Sequence, residues 1–212
     1  MATDILTPGE NPGEYFIPAL GKTVKLVKWR EDNFYDTVYQ AAGAIAAGTE
    51  LVLFRDIQGK NIQHCNLTTS RRINAGSEMV MNRVGVSVNQ AIGNVVAVGS
   101  DTVKVCWAAA CRFSLGRERI IQEGPLVTFP SGYGVVGSTT ENNTAYLTSG
   151  VASAAAAPQL LVAQPIEDND DLFSSISFLA TTWQAAIVAV TTTVALAFSI
   201  YLHGLIKDPQ GK

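Results

Sequence analysis

Charge is what this sequence has least of. Of 212 residues, 15 are Lys or Arg and 18 are Asp or Glu, 16% in all, with a net charge of −3 at pH 7. An ordinary soluble domain carries about 25%. The shortage excludes the usual nucleic-acid footprint, a dense basic run or face. It also leaves much surface for neighbouring molecules to cover. The widest gap runs from Leu172 to Ile206, where no charged residue occurs. Cysteine appears only as Cys65, Cys106 and Cys111, and an odd count builds no complete disulfide framework. The N-terminal "MATDILTPGENPGEYF" has neither a positive n-region nor an apolar h-region. Both features lead us to expect synthesis in a reducing compartment, and the Asn-x-Thr sequences at Asn66 and Asn142 then carry no meaning as glycan acceptors.

Catalytic and ligand motifs are missing too. There is no G-x-S-x-G and no H-E-x-x-H. "GYGVVG" (132–137) matches a dinucleotide fingerprint, but Pro130 interrupts the preceding strand and the Ser/Thr/Asn-rich sequence after it offers no helix with an apolar face. Its glycines suit a loop with positive φ. His64–Cys65 is the only adjacent pair of soft ligands, and His203 is the only other histidine. Neither they nor Cys106 and Cys111 have the spacing of a zinc site, so all three cysteines read as small buried hydrophobes. "IEDNDD" gathers Glu167, Asp168, Asp170 and Asp171 without the register of a calcium loop. It reads as a solvated loop, and a surface cation site there stays open. We therefore expect no enzyme, and assign no catalytic, cofactor-binding or metal-binding residue and no cofactor.

What is present is alternation. In "VAVTTTVALAFSIYLH" (188–203) the even positions are Val188, Val190, Thr192, Val194, Leu196, Phe198, Ile200 and Leu202, nearly all large and apolar, and the odd ones are small or polar. Lipid on every side gives a membrane helix no reason to alternate, whereas a strand turns successive side chains to opposite faces. We expect one long strand, or two broken near Thr191–Thr193. The alternative is a transmembrane segment over 184–206, for which the length suffices.

The rest reads as short strands between turn signals. Candidates are 33–40, 50–57, 77–88, a hairpin over 111–123 turning at Leu115–Gly116–Arg117, then 125–130, 159–166 and 171–180. In 77–88 the alternation points Val80, Val84, Val86 and Val88 to the core, with Met79, Met81, Arg83 and Gly85 opposite. Helix is suggested at 41–48 and at 100–111, the latter equally suited to a strand, and 150–158 reads as a loop or short turn. Residues 1–30 form an extended arm rich in Pro and Gly, and 31–212 form one domain. Many short strands without βα alternation indicate an all-β sandwich or barrel.

Leu53–Phe54, the Asn66–Leu67–Thr68 step, the Ala75–Gly76 turn and the Val84–Gly85–Val86 closing strand, all within residues 50–88, resemble the capsid proteins of small tailless bacteriophages. "FSLGRERIIQEGPLVTFPSGYGVVG" (113–137) is similar to their hairpin and following Pro-Leu strand, and "AFSIYLHGLIKDPQ" (197–210) to their last strand. The resemblance implies a single jelly-roll β-sandwich with an extended N-terminal arm and short helical segments in loops. It implies a viral structural protein, made in the host cytoplasm and assembling with copies of itself and other virion proteins into a shell. An internal membrane or the genome would be a weaker contact. Two other functions remain open: a membrane-anchored virion or envelope protein, and a receptor- or glycan-binding β-sandwich. The last calls for clustered surface aromatics, yet Trp29, Trp107 and Trp183 are scattered along the chain.

Overall fold

The computed structural model describes residues 6–90, 101, 105, 106, 108–116, 118–129, 159–178, 189–193 and 195–207. Their architecture is an all-β sandwich of two four-stranded antiparallel sheets. Strands β4 (Trp29–Gln40), β7 (Glu78–Gln90), β10 (Gln159–Glu167) and β13 (Leu196–Lys207) form the first sheet, in the order β10-β7-β13-β4. Strands β6 (Glu50–Leu53), β8 (Ala109–Leu115), β9 (Arg119–Pro125) and β11 (Leu172–Phe178) form the second, in the order β6-β11-β8-β9. Along the chain these strands alternate between the sheets, except at the β8–β9 hairpin. That hairpin turns at Gly116, whose φ of +66° suits glycine.

At its described positions the uncharged C-terminal stretch forms strands, broken where Thr191–Thr193 suggested. β12 (Ala189–Thr192) pairs with β5 (Gly43–Ala46), and β13 is laddered on both sides, to β4 and to β7. Its even residues Leu196, Phe198, Ile200, Leu202 and Ile206 are buried in the main core. The described positions within 184–206 are therefore strand and not a transmembrane helix. No helix among the described residues is long and apolar enough to cross a membrane.

One extra residue in β7 changes which side chains reach that core. Along β13 the partners of His203 and Gly204 are Arg83 and Met81, so Asn82 is bulged out of the ladder. A bulge of one residue reverses the parity of everything beyond it. Val84, Val86 and Val88 face the main core as expected, but before the bulge it is Met79 and Met81 that do so. Val80 turns to the opposite face and joins a second small cluster with Ile17 and Trp29.

That second cluster lies under the N-terminal segment, which is not extended. Strands β1 (Thr7–Pro8), β2 (Glu14–Ile17) and β3 (Lys22–Lys25) form a three-stranded antiparallel meander, and a 3-10 turn at Leu26–Lys28 leads into β4. Ile17 is fully buried, and Leu20, Val24, Leu26, Ala163 and Leu205 pack around the cluster. Glu78 adds a polar clasp: its carboxylate accepts hydrogen bonds from Lys22 of β3 and from Lys207 of β13, the latter at 3.1 Å. Burial raises the Glu78 pKa, but the two ammonium groups outweigh it and hold the carboxyl below its ordinary value.

Other local expectations shift for identifiable reasons. The Ala-rich 41–48 holds the strand β5 and no helix, because Gly43 and Gly48 adopt φ of +124° and +84° and leave too few residues between them to nucleate one. β6 ends at Leu53, short of residue 57, because Phe54 turns to φ +63° and buries its ring completely. Residues 126–128 form a 3-10 turn where a strand was expected. The turn drives Leu126 and Phe129 into the core and lets the Phe129 carbonyl accept the Val86 N–H at 2.8 Å. In 100–111 both readings apply: Asp101, Val105, Cys106 and Ala108 are helical, and β8 begins at Ala109.

Candidate interaction surface

The residues with chemical potential are occupied in holding the fold. Burial pushes the Cys65 thiol up to about 11, the Cys106 thiol to about 11 and the Cys111 thiol to about 12. All three are protonated at neutral pH, so none is an activated nucleophile. His64 does not stand beside Cys65 as a ligand pair; its ring meets Tyr39 edge-on at 5.4 Å. His203 lies on the outer face of the first sheet, stacked on Tyr201 at 5.9 Å.

The acidic run disperses in the same way. Asp170 Oδ2 accepts the Glu167 N–H at 2.8 Å and closes its own turn, while Asp168 Oδ2 accepts the Gly76 N–H at 2.6 Å. Asp171 faces Arg71 at 3.8 Å. Each of these three aspartates is turned to a different partner, and no group of three His, Cys, Asp or Glu among the described residues could hold a metal ion. "GYGVVG" (132–137) and 150–158 lie outside the described residues.

A carboxylate that drew no attention in the sequence is the most buried one in β4. Asp36 is fully buried, accepts the Phe54 N–H at 2.6 Å and pairs with the Lys60 ammonium at 2.6 Å. Cys65 stands across from it in an isolated antiparallel bridge. An ion can stay inside a fold only when its lone pairs are used in this way. The signal was an Asp at a position where β4 alternation, through Phe34 and Val38, calls for an apolar residue.

The knot serves a larger purpose, the closure of one sheet edge. An edge strand exposes unpaired N–H and C=O groups that invite another chain. On β4 the Asn66 side chain imitates a neighbouring strand: its Oδ1 accepts the Tyr35 N–H at 2.9 Å and its Nδ2 donates to the Asn33 carbonyl at 2.8 Å. The Asn-x-Thr sequence at Asn66 therefore has its amide committed within the fold.

The opposite edge is different. β10 takes five steps, from Gln159 to Gln164, where β7 takes two, from Arg83 to Met81. The excess bows outward and displays Leu161 and Val162, 85% and 65% exposed. Beside it runs β9, the edge of the second sheet, with Ile120 and then Val127 also exposed. Sequence reading saw only a strand at 159–166. The signal was the run Leu160–Leu161–Val162, since a strand cannot turn three consecutive apolar residues inward.

These features define the class, an all-β sandwich with one edge closed by Asn66 and exposed apolar side chains at the other. No family model, no curated protein and no solved structure matches the chain.

Proposed function

We propose that the chain is a jelly-roll capsid subunit that assembles with copies of itself, and with other virion proteins, into a viral shell. The observation that carries this reading is the strand order. Eight strands alternating between two sheets, β10-β7-β13-β4 over β6-β11-β8-β9, with a single in-sheet hairpin, agree with two interlocked Greek keys. The sparse charge and the apolar side chains exposed on the β9–β10 side support burial against neighbours. The mechanism is structural: apolar edge surface is removed from water between symmetry-related copies. Electron microscopy of the purified protein tests it, with closed shells or regular oligomers expected. A strict monomer at millimolar concentration would refute it.

One observation favours the receptor- or glycan-binding reading. The tryptophans stay scattered, but the first sheet gathers Tyr35, Tyr201 and His203 on its outer face, Tyr35 and Tyr201 with ring centroids 6.0 Å apart. Glycan-array binding that is lost in Tyr201→Ala would promote it over the shell.

A further inference from the structure

The N-terminal meander is attached to the sandwich by side chains. β1, β2 and β3 pair only with one another. The turns of this segment also close within it: Gly9 N–H donates to the Glu14 carbonyl at 2.8 Å, and Gly21 N–H to the Ile17 carbonyl at 3.0 Å. Among the described residues, no backbone hydrogen bond runs from residues 6–25 to either four-stranded sheet. Two contacts hold the segment down. One is the small cluster of Ile17, Trp29 and Val80, which is separate from the main core. The other is the Lys22 ammonium, which donates to the Glu78 carboxylate at the start of β7. The Lys22 side chain is 45% exposed, so this pair is open to solvent and adds little.

A strand of the main sheets is held differently. β13 is laddered along its length to β4 on one side and to β7 on the other, and cannot leave without breaking both. An element with few buried apolar contacts and no shared ladder opens at a free energy below that of global unfolding. The joint suits such an opening. Leu26–Lys28 is a short 3-10 turn between the meander and β4, and Val27 at its centre is 89% exposed. No packed side chain at that point resists a change of course.

We infer that the meander is a flap, which opens and closes over the outer face of the first sheet while the sandwich stays folded. Closed, it hides Trp29 and Val80 and covers part of Ala163 and Leu205. Open, it bares these four beside the bow of β10 that carries Leu161 and Val162. The position of the flap therefore sets how much apolar surface this side of the molecule shows. The device goes beyond the shell reading and stands without it.

Hydrogen exchange and thiol labelling on the full chain test it. In the unaltered protein, the amides of β2 and β3 are expected to exchange at least about tenfold faster than those of β13, under conditions where exchange reports opening equilibria. Val80→Cys places a thiol under the flap, and Cys111, 1% exposed in the main core, is the internal reference. The thiol of Val80→Cys is expected to react at least about tenfold faster than Cys111 in native buffer. Ile17→Ala removes the fully buried anchor of the flap and widens both gaps, while β13 stays protected as in the wild type. Meander amides that exchange only together with those of β13, or equal labelling of the two thiols, would make the segment part of the sandwich and overturn the flap. Loss of β13 protection in Ile17→Ala to the same degree as in the meander overturns it as well.

Discussion

The ring of Phe178, at the end of β11, stands edge-on to the ring of Phe198 in β13, with centroids 6.1 Å apart and planes at 88°. The two residues belong to different sheets, so this contact is where the sandwich closes. Both are essentially buried, and an edge-to-face pair adds about 0.5–1.5 kcal/mol to the burial itself. Phe198→Ala is expected to cost about 3–5 kcal/mol, and Phe198→Leu substantially less, because Leu refills part of the cavity. Urea unfolding measures both, and equal costs for the two variants would mean that packing across the sheets is not what Phe198 supplies.

Gly204 is the counterpart of the β7 bulge. A Cβ added there would collide with the Val80 carbonyl oxygen and come within 2.8 Å of Val80 C and 2.9 Å of Met81 Cα. Those are backbone atoms, which cannot step aside as a flexible side chain can. Gly204→Ala is therefore expected to destabilise by about 3 kcal/mol, at the upper end of overpacking penalties. A Gly204→Ala protein with wild-type unfolding midpoint would show that β7 and β13 do not approach so closely.

The Asp36 knot makes a prediction of its own. Asp36→Ala strands the Lys60 ammonium, whose side chain is only 19% exposed, and leaves the Phe54 N–H without its acceptor. Removing one partner of such a buried pair costs about 3–5 kcal/mol. The loop between β6 and β7 should loosen first, since Arg71 N donates to the Phe54 carbonyl at 2.7 Å and depends on the turn that Asp36 holds. Hydrogen exchange resolves this: protection should fall in 54–72 before it falls in β13. Uniform loss across the domain would place Asp36 in the general core and not at the loop.

These positions also show which parts of the structure sequence reading could reach. β13 was legible because every even residue from Leu196 to Leu202 faces one core, so period alone identifies the strand. The parity of β7 was not, because nothing in "EMVMNRVGVSV" marks Asn82 as extra; the bulge is set by its pairing with β13 and β10. The alanines of β5 read as helix because their propensity is local, whereas their partner β12 lies 143 residues away, from Ala46 to Ala189 at the nearest. Leu161 and Val162 were read as ordinary strand because alternation assumes a regular ladder, and β10 abandons it there. The N-terminal meander was read as extended since its prolines and glycines mark turns without saying that the chain returns on itself.

His203 links the outer face to pH. Burial, and after it the Arg83 charge, hold its imidazole below the ordinary 6.5, with Glu31 opposing. The folded chain thus resists a proton that the unfolded chain accepts. Stability is complete above about 6.5 and declines as pH falls from there toward the lowered folded value, beneath which this contribution is flat. His203→Gln removes the titration and should flatten the urea midpoint between pH 7.5 and about 5, the range in which histidines change charge. If the variant keeps the wild-type slope, the pH response comes from another group, and the Arg83 side of the outer face is not what sets it.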